Sequence, residues 1–183
     1  MSKVIVISGL TAGGKTALIK ALAQKLTNSK IISFDDYDID QLPSAPSLST
    51  PLSQTANQYD ITEVVRAVKS ARTKFDYVLV DFPFGNRHNS LASLINLTVY
   101  IKTPLDLLLA RQILRDYSTS ELTDILDWLK TYIIIARSIF LANEQFVSSS
   151  ADLILDGSSS LPLKVDSVLK NFSAINFKRE SMI

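Results

Sequence analysis

The amino-acid sequence predicts an α/β fold, a doubly wound five-stranded parallel sheet, and three observations carry that expectation. Five short β-rich runs alternate with helical patterns along the chain. The first, third and fourth runs are nearly continuous apolar stretches, as strands are when both faces of a parallel sheet are covered. A glycine-rich turn joins the first run directly to an amphipathic helix, the beginning of a strand–turn–helix unit.

The strands are expected at "KVIVIS" (3–8), "KIISF" (30–34), "YVLVDF" (77–82), "LTVYI" (97–101) and "DLILD" (152–156). Helical periodicity covers 14–27, about 61–73, 105–117, a long region from 119 to about 147, and 162–171. The last follows a short loop, "DGSSSLP", and starts where a proline favours a first helical turn. Residues 41–58 hold three prolines and many small polar residues, and read as a surface loop. The longest apolar stretch, "YIIIARSIFLA" (132–142), is interrupted by Arg137 and falls well short of the roughly 20 residues of a membrane span. It is expected to be a buried helix, with Phe140 and Phe146 in the core. Trp128 is expected either inside the domain or against a second subunit, so a homodimer is one possible assembly. At 183 residues a single domain, 1–183, is expected.

Composition narrows the function classes. The formal net charge is +1 and no lysine/arginine block stands out, so there is no electrostatic footprint for nucleic acid. The most basic stretch, "FKRE" (177–180), reads as a solvated tail. With no cysteine, disulfides, thiolate metal sites and a cysteine nucleophile are excluded, which fits a reducing, cytoplasmic location. The apolar run at the N-terminus is too short for a signal peptide, and no membrane partner is expected.

The chain has five glycines, and three of them fall within residues 9–14. Gly9 to Thr16 reads G-L-T-A-G-G-K-T, matching G-x-x-x-x-G-K-[ST] between a buried strand and an amphipathic helix. Such a loop wraps polyphosphate with inward-pointing backbone N–H groups, and the helix that follows turns its positive dipole end toward the same anion. Gly9, Thr11, Ala12, Gly13, Gly14, Lys15, Thr16 and Ala17 are therefore the expected nucleotide-binding residues. Lys15 supplies a compact charge toward the β- and γ-phosphates, and the Thr16 hydroxyl is a Mg²⁺ ligand.

Carboxylates elsewhere discriminate among reactions. A GTPase would need D-x-x-G after a strand and [NT]-K-x-D later; "TKFD" (73–76) lies on the wrong side of the third strand, and "DFPFG" (81–85) has the wrong spacing. The second strand ends in "ISFDDYD" (32–38). If it neighbours the glycine-loop strand, Asp35 stands where a base must take the proton of an acceptor hydroxyl, with Asp36 as the competing candidate. Asp81 closes the third strand, the expected form of a Walker B carboxylate that binds Mg²⁺ directly or through water. In "FGNRHNS" (84–90), Arg87 and the single histidine, His88, are candidates for holding an anionic or sugar-like acceptor. Asp36, Tyr37 and Tyr59 are further candidates for substrate contact.

With these positions in place the sequence resembles the uridine kinase branch of P-loop small-molecule kinases, which includes nicotinamide riboside kinase and phosphoribulokinase. The resemblance rests on the glycine loop, "IISFDDYD", "DYVLVDFPFG" and "TVYIKTPLDLLLARQILRD" (98–116), with "SSSADLILDG" (148–157) similar to the final strand. It implies a sheet in the kinase-type order 2-3-1-4-5, ATP as donor, Mg²⁺, and the hydroxyl of a small, nucleoside-like metabolite as acceptor. By position it implies Asp35 as base, Asp81 as the metal- or substrate-linked carboxylate, and Arg111 and Arg115 as catalytic cations of a helical lid spanning about 105–147. The chain departs from the family at 117–124, "YSTSELTD", where a short basic stretch is usual. That departure motivates a competing expectation, an ATP-binding regulatory protein that phosphorylates no metabolite.

Overall fold

Five parallel strands in the order β2-β3-β1-β4-β5 form the centre of the computed structural model, which describes residues 2–47 and 49–180. β1 (Lys3–Gly9) lies in the middle, between β3 (Tyr77–Asp81) and β4 (Leu97–Lys102); β2 (Ser29–Ser33) and β5 (Leu153–Asp156) are the edges. Every strand ends within one residue of its expected limits, and the order is the one the resemblance implies. One expectation needs correcting. β2 does not neighbour β1, because β3 is inserted between them.

Alternation across the pleat explains why the strands read as continuous apolar runs. Val4 and Val6 face one side with Val78 and Val80, where α3 (Thr62–Ala71) covers them with Val64 and Val68. Ile5 and Ile7 face the other side with Leu79, under Leu18, Ile19 and Leu22 of α1 (Lys15–Lys25). Val165, Val168 and Phe172 of the terminal helix (Leu161–Glu180) complete that second layer. Both faces are dry, so neither strand position can be polar without cost. The terminal helix runs past its expected end at 171, and the side chains of the basic "FKRE" stretch lie outside the described ones.

Between β2 and α3 the chain forms 3₁₀ turns at Phe34–Tyr37 and Ile39–Gln41 and the short helix α2 (Leu52–Thr55). The loop that contains this short helix is held down where the Leu52 N–H donates to Asn143 Oδ1 at 2.8 Å. The long helical region expected from 119 to about 147 is one continuous helical run over 122–148, in which a π turn at Tyr132–Ala136 joins Leu122–Thr131 to Arg137–Ser148. The expected buried helix at 132–142 is also corrected. Ile133 and Ile134 are 74% and 76% exposed, while Tyr132 is buried. Successive helical side chains diverge by about 100°, so once Tyr132 turns inward its next two neighbours must turn away. Among the described residues no helix is long and apolar enough to cross a membrane.

Candidate active site

Register brings three strand ends to one level. Ile7 pairs with Asp81, Asp81 with Ser33, and Gly9 with Ile101, so the loops after β1, β2 and β3 open on the same edge of the sheet. The "TKFD" stretch precedes β3 at the opposite edge, where the Lys3 N–H donates to the Asp76 carbonyl.

The glycine loop leaves β1 and closes tightly, with the Gly13 N–H donating to the Leu10 carbonyl at 3.1 Å. A Cβ at Gly13 would sit 2.8 Å from that carbonyl oxygen, so no side chain fits there. Gly14 caps α1 at φ +93°, in the left-handed region that favours glycine. Thr103, buried just after β4, donates its hydroxyl proton to the Gly13 carbonyl at 3.2 Å. Neither Thr103 nor its role was legible in the sequence, since a lone threonine after a strand carries no distinguishing pattern.

A cavity of about 570 Å³ is lined by residues 11–17 of the loop, Asp35, Asp81, Arg111 and Arg115. Lys15 Nζ folds back onto the Leu10 carbonyl at 3.3 Å, and Thr16 Oγ1 donates to Asp81 Oδ2 at 3.3 Å. Asp81 is 6% exposed. Burial raises its pKa above the ordinary aspartate value; Lys15 opposes the rise and the charge on Asp35 adds to it. A threonine hydroxyl touching a buried carboxylate is a hard-oxygen donor pair, the kind that suits Mg²⁺ when substrate and water supply the other ligands. Arg111 and Arg115 are one turn apart on the helix Leu105–Asp116, which places both at the cavity. Arg115 pairs with Asp116 through Nε at 2.6 Å and reaches the glycine loop by donating from Nη2 to Thr11 Oγ1 at 3.3 Å.

A second cleft, about 280 Å³, adjoins the first. Its lining includes Phe34, Asp35, Asp40, Leu52, Tyr59, Phe84, Tyr100, Phe140, Asn143 and Val147. Thr11, Lys15 and Asp35 line both cavities. The 3₁₀ turn after β2 carries Asp35 across the end of β3, which is how it reaches the glycine loop from a strand that does not touch β1. Phe34, Tyr59 and Phe84 pack as an aromatic wall, with ring centroids 4.8–6.4 Å apart.

Of the remaining sequence candidates, Asp36 is exposed and lines neither cavity, and Tyr37 packs half-buried against the α3-side core. Arg87 donates from Nε to the Phe146 carbonyl and from Nη2 to Ser149 Oγ, and its guanidinium lies 4.7 Å from the Phe146 ring centre. It anchors the helix Arg137–Ser148. His88 is buried behind Phe82 and Phe84, with Nε2 donating to the Tyr59 carbonyl and Nδ1 accepting from the Ser90 N–H. Both ring nitrogens are committed to the fold, so the expectation that Arg87 and His88 hold an acceptor is replaced by a structural role for each. Phe140, expected in the core, lines the second cleft. Asp40, Tyr100 and Asn143 also line it and were not singled out from sequence, because each comes from a different element. Trp128 packs within the domain, between Tyr117 and Tyr132.

Two solved structures similar to this chain are shikimate kinases. The one from Aquifex aeolicus vf5 is 17% identical with a TM-score of 0.56, over 93% of this chain and 96% of that one. The one from Bacteroides thetaiotaomicron is 16% identical with a TM-score of 0.57, over 93% and 98%. The fold is the P-loop kinase type. No protein-family model matches the chain, and no curated protein matches it. At such identities the likeness is one of architecture.

Proposed function

We propose that this protein is an ATP-dependent phosphotransferase that moves the γ-phosphoryl group onto a hydroxyl of a small, uncharged, ring-bearing metabolite, a nucleoside-like acceptor. The observation that carries the reading is the junction of the two cavities at Thr11, Lys15 and Asp35. One cavity has the backbone and cations for a polyphosphate, the other has aromatic walls, and a carboxylate stands where they meet.

In this reading the glycine loop and Lys15 hold the β- and γ-phosphates, while Arg111 and Arg115 neutralise charge on the group in transfer. The acceptor oxygen forms a bond to the γ-phosphorus as the bond from phosphorus to the β,γ-bridging oxygen breaks. ADP leaves, and Asp35 takes the hydroxyl proton. Asp36 is set aside as base because it faces neither cavity. Thr16 and Asp81 are the residues that would hold Mg²⁺, which supplies electrophilic charge to the phosphates when bound. The acceptor cleft contains Asp35 and Asp40 against Lys15 alone, and Lys15 serves the phosphates. A carboxylate-bearing acceptor would meet like charge there, whereas sugar hydroxyls would find acceptors. This balance and the uridine kinase-like sequence both support a nucleoside-like acceptor.

The test is ADP release from Mg-ATP with a panel of nucleosides, sugars and vitamin precursors. At least one acceptor is expected to stimulate release, and Asp35→Asn is expected to lower kcat about 10²–10⁴-fold with little change in ATP affinity. ATP binding without acceptor stimulation anywhere on the panel would favour the regulatory alternative, and a normal rate in Asp35→Asn would discard the base.

A further inference from the structure

We infer that Tyr100 determines acceptor specificity, its hydroxyl donating a hydrogen bond to a carbonyl oxygen on the ring of the bound acceptor. The inference rests on the kinase reading above and deepens it, from "nucleoside-like" to the part of the ring that is read.

Tyr100 lies on β4 opposite Ser8 of β1 and contributes to the acceptor cleft. It is 1% exposed, yet its hydroxyl has no hydrogen-bond partner among the described residues. A buried hydroxyl left unpaired is costly, and native folds rarely keep one without a use. Burial is the main cause that raises the Tyr100 pKa and the Glu144 charge adds to it, but the Glu144 carboxylate is tied to Lys102 Nζ at 3.4 Å and accepts nothing from the phenol. Burial also keeps the phenol protonated, so at neutral pH it is a donor.

A second donor lines the same cleft. Asn143 spends its Oδ1 on the Leu52 N–H, which leaves its NH₂ end for whatever enters. Ser8, the other polar side chain near Tyr100 on β1, gives its proton to the Phe82 carbonyl at 2.7 Å and is already satisfied. The cleft is thus polarised: acceptors in Asp35 and Asp40, donors in Tyr100 and Asn143, aromatic rings between. A sugar's hydroxyls match the first pair. A carbonyl oxygen, with two lone pairs, matches the second, whereas a ring amine would present hydrogen to hydrogen.

Two nucleoside pairs differ by a carbonyl in place of an amine, uridine against cytidine and inosine against adenosine. The wild-type protein is expected to favour the carbonyl member of a pair in kcat/KM. Tyr100→Phe, which removes one oxygen and keeps the ring, is expected to raise that member's KM about tenfold, leave the KM for ATP unmoved and level the pair. The ligand-free variant should melt at or above the wild-type temperature, because an unpaired buried hydroxyl has been deleted. A preference that survives in Tyr100→Phe overturns the inference while leaving the kinase reading intact. So does a fall of more than about 3 °C in the ligand-free melting temperature, which would show that the hydroxyl is bonded within the fold. If the wild type turns over none of the four nucleosides, the nucleoside reading itself fails and takes the inference with it.

Discussion

Asp81 shows how a site residue and the fold pull in opposite directions. Its carboxylate is buried, and burial raises its pKa above 3.8. Between that value and the higher folded one, the native chain holds a proton the unfolded chain has released. Stability therefore falls as pH rises through the window, and it stays lower at neutral pH. Asparagine keeps the shape, can still accept from Thr16 Oγ1, and does not ionise. Asp81→Asn is expected to raise the ligand-free melting temperature at pH 7, with the advantage disappearing as pH drops toward 3.8. The same change should sharply reduce Mg²⁺-dependent turnover. Melting curves across pH 3–8, read beside activity, check both halves. A variant less stable than wild type at pH 7 would mean that the attraction to Lys15 outweighs burial. The histidine teaches the converse lesson. His88 has a reactive side chain near the functional edge, but the fold uses both of its nitrogens, so chemistry that looks available in sequence is already spent.

At the level of elements, the run over 122–148 shows a division of labour along one helical stretch. The helix Arg137–Ser148 turns Phe140, Asn143 and Val147 toward the second cleft, at i, i+3 and i+7. The π turn before it leaves Ile133 and Ile134 about three-quarters exposed, with little contact to lose. Replacing both with glutamine is expected to change the monomer's stability by less than about 1 kcal/mol, since little of either residue is removed from water on folding. By contrast Leu22→Ala, which empties a fully buried site under α1, should cost about 2–5 kcal/mol. Urea unfolding of the two variants makes the comparison directly. A large loss in the glutamine double variant would show that the isoleucines are covered in solution, as an interface would cover them. A short apolar run is ambiguous for this reason: its hydrophobicity says that some of it is buried but not which side.

Across the whole molecule, the site sits where loops from β1, β2 and β3 converge, so a nucleotide bound as proposed would tie together elements far apart in sequence. A ligand that binds only the folded chain stabilises it by mass action, about 2.7 kcal/mol at a hundred times its Kd. For a chain of this length that corresponds to a melting-temperature rise of roughly 5–10 °C with saturating Mg-ATP. Lys15→Ala is expected to remove most of the rise while lowering the ligand-free curve only slightly, because Lys15 bonds only the Leu10 carbonyl among the described residues and otherwise gives up its attraction to Asp81. A full shift in that variant, or none in the wild type, would remove the nucleotide from the account.

What the sequence determined by itself was whatever is encoded locally. The strands declared themselves by continuous Val and Ile runs, the glycine loop by its spacing, and Asp35 and Asp81 by standing at strand ends. Those signals are short-range consequences of pleat, helix period and steric room, so a one-dimensional reading captures them. The aromatic wall, Asp40, Asn143, Tyr100 and the Thr103 bond to the glycine loop were decided only in three dimensions. Phe34, Tyr59, Phe84 and Phe140 come from four separate segments, and nothing in any one segment says that the others will be its neighbours. The insertion of β3 between β2 and β1 made the same decision for Asp35, sending it to the glycine loop by way of a turn. Local propensity selects elements; which side chains then face one another depends on strand order and burial, which belong to the whole chain at once.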